Sequence, residues 1–305
     1  MIRKKQLPPW LALLFLLLLS LLLVIATLNK PAQQKRHVEE AVEKVVPVPE
    51  VAKPEDEHEA RPDLAALPRV ASGLALILDD VGYDMPALKR ILALPMPVAI
   101  AVIPDAPYAQ ASATMAHEQG QVVMLHLPME PTSENYRNKM TPYFLHEKMS
   151  REELRETFQR GLDEVPFVEG VNNHMGSYLS EQMEHMRWVM QVCQEQGFFF
   201  VDSKTSNKSV AAEAAELLDV PWASREVFLD HDLNPEAMKR AWKSAERCLE
   251  KGYRCVVIAH PHKETVAFLE KQMSKQEPTV LIPVQQLLRG GDSARHAKIK
   301  PEVLL

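Results

Sequence analysis

Cysteine is scarce in this chain. Only three occur, Cys193, Cys248 and Cys255, an odd number that excludes a disulfide scaffold, and the lack of any Cys-x-x-Cys spacing argues against a thiolate zinc site. Cys248 and Cys255 flank a predicted helix-to-strand turn, where a bridge formed outside the cytoplasm and two buried thiols are both open. Excess basic charge is lacking too. The net charge is −6 and the pI about 6.0, so nucleic acid finds no electrostatic footprint. Neither Gly-x-Gly-x-x-Gly nor Gly-Lys-Ser/Thr occurs, which argues against a nucleotide site. Gly176-Ser177 is not a Gly-x-Ser-x-Gly elbow, and no cysteine shares a strand end with other polar residues, so serine and cysteine nucleophiles are weak candidates.

Glycine is absent from residues 29–72, which instead carry Pro31, Pro47, Pro49, Pro54, Pro62 and Pro68 among many Glu and Lys. That composition predicts an extended, disordered tether. Before it, Trp10–Leu28 is apolar except for Ser20 and Thr27. As a helix this run spans about 28 Å, close to the hydrocarbon thickness of about 30 Å, so it predicts one transmembrane anchor. Arg3, Lys4 and Lys5 favour a cytoplasmic 1–9 segment, although Lys30, Lys35 and Arg36 weaken the asymmetry. A cleaved signal peptide is the competing reading, disfavoured by the length of the run and by Ala26-Thr27-Leu28 as a cleavage site. The expected location is the inner membrane of a cell, single-pass, with the main domain outside the cytoplasm.

From Gly73 the pattern changes. Apolar runs at Leu74–Leu78, Val98–Ile103, Val122–Leu127, Val168–Val171, Phe198–Val201, Cys255–Ala259 and Thr279–Ile282 read as strands. Between them lie predicted helices at 85–94, 108–119, 151–164, 181–196, 210–218, 235–251 and 263–273. Their punctuation is specific: Ser150 with Glu153 forms a capping box, Pro86 and Pro235 sit in first turns, and Gly120, Gly197 and Gly252 follow last turns. The alternation predicts an α/β fold, a distorted or incomplete (β/α) barrel of about seven strands over 73–290, followed by a tail at 291–305.

The residues at the ends of those runs carry the chemistry. The first ends in Asp79-Asp80, the third in His126, the fourth in Asn172-Asn173-His174, the fifth in Asp202 and the sixth in His260. A barrel assembles its active site at that rim, from several strands. Each residue alone reads as a hydrogen-bonded strand end; the repetition points to a site. One or two carboxylates with two or three imidazoles suit a borderline divalent ion such as zinc, which lowers the pKa of a bound water to about 7. Glu130, four residues after His126, either reaches the same ion or solvates the loop that follows.

A family resemblance rests on these and neighbouring motifs. Ile-Leu-Asp-Asp-Val-Gly (77–82), His-Leu-Pro-Met-Glu-Pro (126–131), Asn-Asn-His-Met-Gly-Ser (172–177), Val-Asp-Ser (201–203), Arg-Glu-Val-Phe-Leu-Asp (225–230) and Ile-Ala-His-Pro (258–261) together resemble the divergent polysaccharide deacetylase family, a distant branch of the chitin and peptidoglycan deacetylases. The resemblance implies a distorted barrel, a divalent metal usually called zinc, and removal of acetyl groups from N-acetylated glycan. It implies Asp79 as base, Asp80 and His126 as metal ligands, and His260 as general acid. The broader superfamily has a second metal histidine where this chain has Glu130, so His174 is expected as the substitute. Its Arg-Pro-Pro-Tyr segment is missing; Arg225 either steadies the base instead or is a surface ion pair. Asn173, Ser177, Asp202 and Asp230, with Glu130 and Arg225, are the expected supporting or substrate-binding residues.

Two functions follow from different classes. One is a membrane-anchored, metal-dependent deacetylase of envelope glycan such as peptidoglycan. The other is a non-catalytic envelope protein that keeps the barrel to bind glycan or a partner. A metal phosphoesterase is disfavoured, because no basic cluster accompanies the strand-end acids.

Overall fold

The structure, a computed structural model, describes residues 68–291. The expected anchor at 10–28, most of the tether and the tail beyond 291 lie outside the described residues. Among the described residues no helix is long and apolar enough to cross a membrane.

Seven parallel strands close into a barrel in sequence order. They are β1 (Gly73–Val81), β2 (Ala99–Val102), β3 (Val122–Met129), β4 (Val168–Met175), β5 (Phe199–Asp202), β6 (Trp222–Phe228) and β7 (Arg254–Ala259). Closure is made by β1 against β7, paired from Gly73↔Arg254 to Leu78↔Ala259. Around the barrel run α1 (Met85–Leu92), α2 (Ala109–Glu118), the one-turn α3 (Glu134–Arg137), α4 (Arg151–Glu164), α5 (Met183–Gln196), α6 (Ala211–Leu217), α7 (Pro235–Glu250) and α8 (Lys263–Met273). The Ser150–Glu153 capping box forms as expected, and Asp84 and Asn234 cap α1 and α7 through their side chains.

Two corrections concern strands. The sequence pattern misses β6, whose Ser224, Arg225 and Glu226 interrupt the apolar run and whose ladder to β7 shifts register between Arg225 and Val227. With β6 in place between β5 and β7, the barrel is complete rather than open. The expected strand at 279–282 does not form. Pro278 and Pro283 bracket it, and the β1–β7 pairing leaves no edge to accept it. Only Ile282 N–H reaches the sheet, donating to Leu74 O at 2.9 Å. The adjoining 3-10 turn Val284–Leu287 then plugs the barrel's lower end.

Alternation along each strand sorts two cores. Leu74, Leu76 and Leu78 of β1 pack under the helices, while Ala75 and Ile77 fill the lumen with Ala99, Ala101, Met124, Phe199, Val201, Ala223, Val256 and Ile258. The lumen phase continues upward into Asp79, His126, Asn172, Ser203, Arg225 and His260. A polar layer thus sits on an apolar one. The tether's expected end at Ser72 falls late, because Val70 N–H already donates to Gln286 O at 3.0 Å. Cys248 and Cys255 form a disulfide joining the end of α7 to β7, and Cys193 is a buried free thiol.

Candidate metal centre

At the end of β1 the ladder to β2 shifts register between Leu78 and Val81, and Asp80 adopts the left-handed region with φ 55°. Aspartate tolerates that conformation better than most residues, at a cost of about 1 kcal/mol or more. The consequence is functional. Strict alternation would turn Asp80 out under the helices, and the twist returns its carboxylate to the rim beside Asp79.

Three side chains from three strands meet there. His174 Nδ1 lies 2.9 Å and His126 Nε2 3.2 Å from Asp80 Oδ1, and the two nitrogens are 3.2 Å apart. Asp80 Oδ1 is buried without an aligned hydrogen bond. Two imidazole nitrogens and a carboxylate oxygen crowding one point call for a shared cation, and their ligand atoms lie close enough together to hold one metal ion. Burial opposes a charge on His126, yet Asp79 and Asp80 outweigh it and push the imidazole up to about 9. Burial likewise opposes charge on Asp80, and the adjacent imidazoles of His126 and His174 outweigh it and hold the carboxyl well below its ordinary range.

Asp79 is not part of that trio. Its Oδ1 accepts from Asn172 Nδ2 at 2.7 Å and its Oδ2 faces His126 Nε2 at 3.7 Å. Burial pushes its carboxyl up, against the pull of His126 and His260. Across the mouth, His260 Nε2 is 4.0 Å from Asp80 Oδ2, while its Nδ1 meets Asp230 Oδ1 at 3.0 Å. Asp230 is fully engaged, its Oδ2 accepting from His260 N–H at 2.6 Å and Thr265 Oγ1 at 2.8 Å. Burial opposes the imidazolium of His260, but Asp230 outweighs it and raises the group.

The supporting residues divide. Glu130 stays away from the trio: its carboxylate pairs with Arg137 at 3.1 Å and accepts from Glu147 N–H at 2.9 Å, pinning the 131–149 loop. Ser177 Oγ accepts from Thr132 N–H on the same loop, and Asn173 bonds Ser203 N–H and Met175 O. These three staple the rim. Asp202 follows the phase of Phe198 and Phe200, away from the lumen, and caps Lys204 N–H. Arg225 reaches Ser203 O and Lys204 O at 2.7 and 2.9 Å and stacks over Phe228, so it braces the loop after β5 and makes no hydrogen bond to Asp79. The residue touching Asp79 is Asn172. Counting back two from His174 along β4 gives Asn172 rather than Asn173, a parity signal present in the sequence.

A model of the family described as "Divergent polysaccharide deacetylase" matches residues 76–288. The chain belongs to that family. Two relatives are similar to it in sequence. A YibQ protein of Escherichia coli, described as uncharacterized, is 33% identical over 222 residues, covering 72% of this chain and 69% of the relative. An uncharacterized Haemophilus influenzae protein is 33% identical over 237 residues, covering 77% and 82%. Among solved structures, uncharacterized ATU2773 of Agrobacterium tumefaciens superposes with a TM-score of 0.66 at 19% identity, over 72% of this chain and 89% of that one. That likeness speaks for the fold. Within the divergent polysaccharide deacetylase family, the rim described above is the candidate site.

Proposed function

We propose that this chain is a zinc-dependent hydrolase that removes acetyl groups from N-acetylated envelope glycan. The observation that carries the reading is the convergence of Asp80, His126 and His174 between a separate buried carboxylate, Asp79, and a carboxylate-backed imidazole, His260. Two nitrogens and one oxygen are a zinc-type donor set that leaves a position open. The ion, when bound, supplies an acidified water and an electrophile for the acetyl oxygen.

The chain's own groups handle the protons. Asp79 is the base: its Oδ2 faces the trio and takes the proton of the attacking water. His260 is the acid. Its Nε2 points into the mouth and protonates the leaving amine, while Asp230 fixes the ring and stabilises its charge. Trp10–Leu28 anchors the protein to the inner membrane with the barrel outside the cytoplasm, a location that the Cys248–Cys255 bridge supports because such bonds persist in oxidising compartments. Metal analysis of the purified protein, paired with acetate release from chitin and peptidoglycan fragments, tests the reading. Bound zinc with acetate release is expected. Zinc without acetate release would favour the non-catalytic reading, and no metal would remove the mechanism.

A further inference from the structure

Asn172 carries no charge, yet it lies fully buried between the metal trio and the base. The β3–β4 register sets it beside His126. Its amide touches three groups: Asp79 Oδ1 at 2.7 Å, His126 Nδ1 at 2.8 Å and Ser203 Oγ at 3.3 Å. The two ends of that amide are not interchangeable. The NH2 end donates to Asp79 Oδ1 and Ser203 Oγ, and the carbonyl oxygen is thereby committed to His126. A carbonyl oxygen only accepts, so His126 holds a hydrogen on Nδ1. The coordinating lone pair then falls on Nε2, the nitrogen that faces Asp80 and His174. The same amide occupies Asp79 Oδ1 and leaves Oδ2 turned towards the trio.

We propose that Asn172 is a positioning residue that, through one amide, selects Nε2 of His126 as the metal-binding nitrogen and Oδ2 of Asp79 as the proton-accepting oxygen. The inference rests on the reading of the trio as a metal site and of Asp79 as base. Partners of metal-bound imidazoles that fix the ring's tautomer are worth about 10- to 100-fold in metal affinity. Here the fixing partner also holds the base, so ligand and base share one support. A buried asparagine kept only for packing would stabilise the fold and touch neither function.

The two ends are separable by substitution. Asn172→Asp keeps an acceptor for His126 Nδ1–H but sets a second carboxyl against Asp79, and the buried pair shares one proton that occupies the base, whereas Asn172→Leu loses both contacts. In the full-length protein, zinc affinity measured against a competing chelator should stay within about threefold of wild type for Asn172→Asp and fall 10- to 100-fold for Asn172→Leu. With an N-acetylglucosamine oligomer, acetate release should drop in kcat rather than KM for both. A readout independent of turnover and of the Asn172 variants is the histidine side-chain nitrogen spectrum of the zinc-loaded wild type. The His126 resonances, identified by their loss in His126→Gln, should show the proton on Nδ1. A proton on Nε2, or wild-type zinc affinity and kcat in Asn172→Leu, overturns the inference alone. A wild type that binds no zinc overturns the metal reading with it, so the two failures are told apart.

Discussion

Where the proposed function requires a metal ion, the neighbouring carboxylates favour a charged His126, and the exchange of that proton for an ion has a measurable sign. In the metal-free chain His126 is pushed up to about 9, so below that pH the ring is charged and must shed its proton before Nε2 can coordinate. Zinc uptake at pH 7 should therefore release protons, and zinc affinity should rise with pH until about 9 and then level. Calorimetry in buffers of different ionisation enthalpy measures the release; an enthalpy independent of buffer would contradict it. The trio and the base also separate by mutation. His174→Ala should lower bound metal and acetate release together, while Asp79→Asn should keep the metal and lose about 100- to 10,000-fold in kcat. Metal retained in full by His174→Ala would remove that residue from the centre. The sequence exposed these groups because titratable residues at successive strand ends break an apolar pattern. It hid Asn172, since a neutral amide beside an identical neighbour stands out only once the strand's phase is known.

At the scale of elements, the 131–149 loop owes its place to Glu130. The carboxylate ties Arg137 and Glu147 N–H, and the loop in turn sets Phe144 edge-on to His174 with ring centroids 6.1 Å apart. Glu130→Ala removes the acceptor of Glu147 N–H and the partner of Arg137 and should cost about 0.5–1.5 kcal/mol. Limited proteolysis should then cut within 131–149 earlier than in wild type, with zinc content preserved. Loss of the metal would instead make Glu130 a ligand. The sequence left Glu130 open between these roles because spacing along a strand end says nothing of where a following loop returns. Element recognition failed in the same way. β6 was hidden by Ser224, Arg225 and Glu226, of which Arg225 braces the rim and Glu226 accepts from Val256 N–H at the register shift, and 279–282 looked like a strand because apolar residues also serve to plug a barrel.

For the molecule as a whole, the disulfide joins a helix to the strand that closes the barrel. Cross-linking so short a loop, seven residues apart in sequence, restricts the unfolded chain by about 2 kcal/mol. Reduction, or Cys248→Ser with Cys255→Ser, should lower the denaturant midpoint accordingly without changing zinc affinity. An unchanged midpoint would show that the native bridge offsets this gain. Barrel closure has a wider consequence for chain connectivity. Val70 N–H bonds Gln286 O, so the first and last described segments meet at the lower pole, opposite the polar rim. Ends that touch need only a short peptide to be joined, and new ends opened in an exposed surface turn would leave every strand pairing intact. A circular permutant built this way should fold and bind zinc as the parent does, with its chain termini moved to whichever side of the barrel an experiment requires.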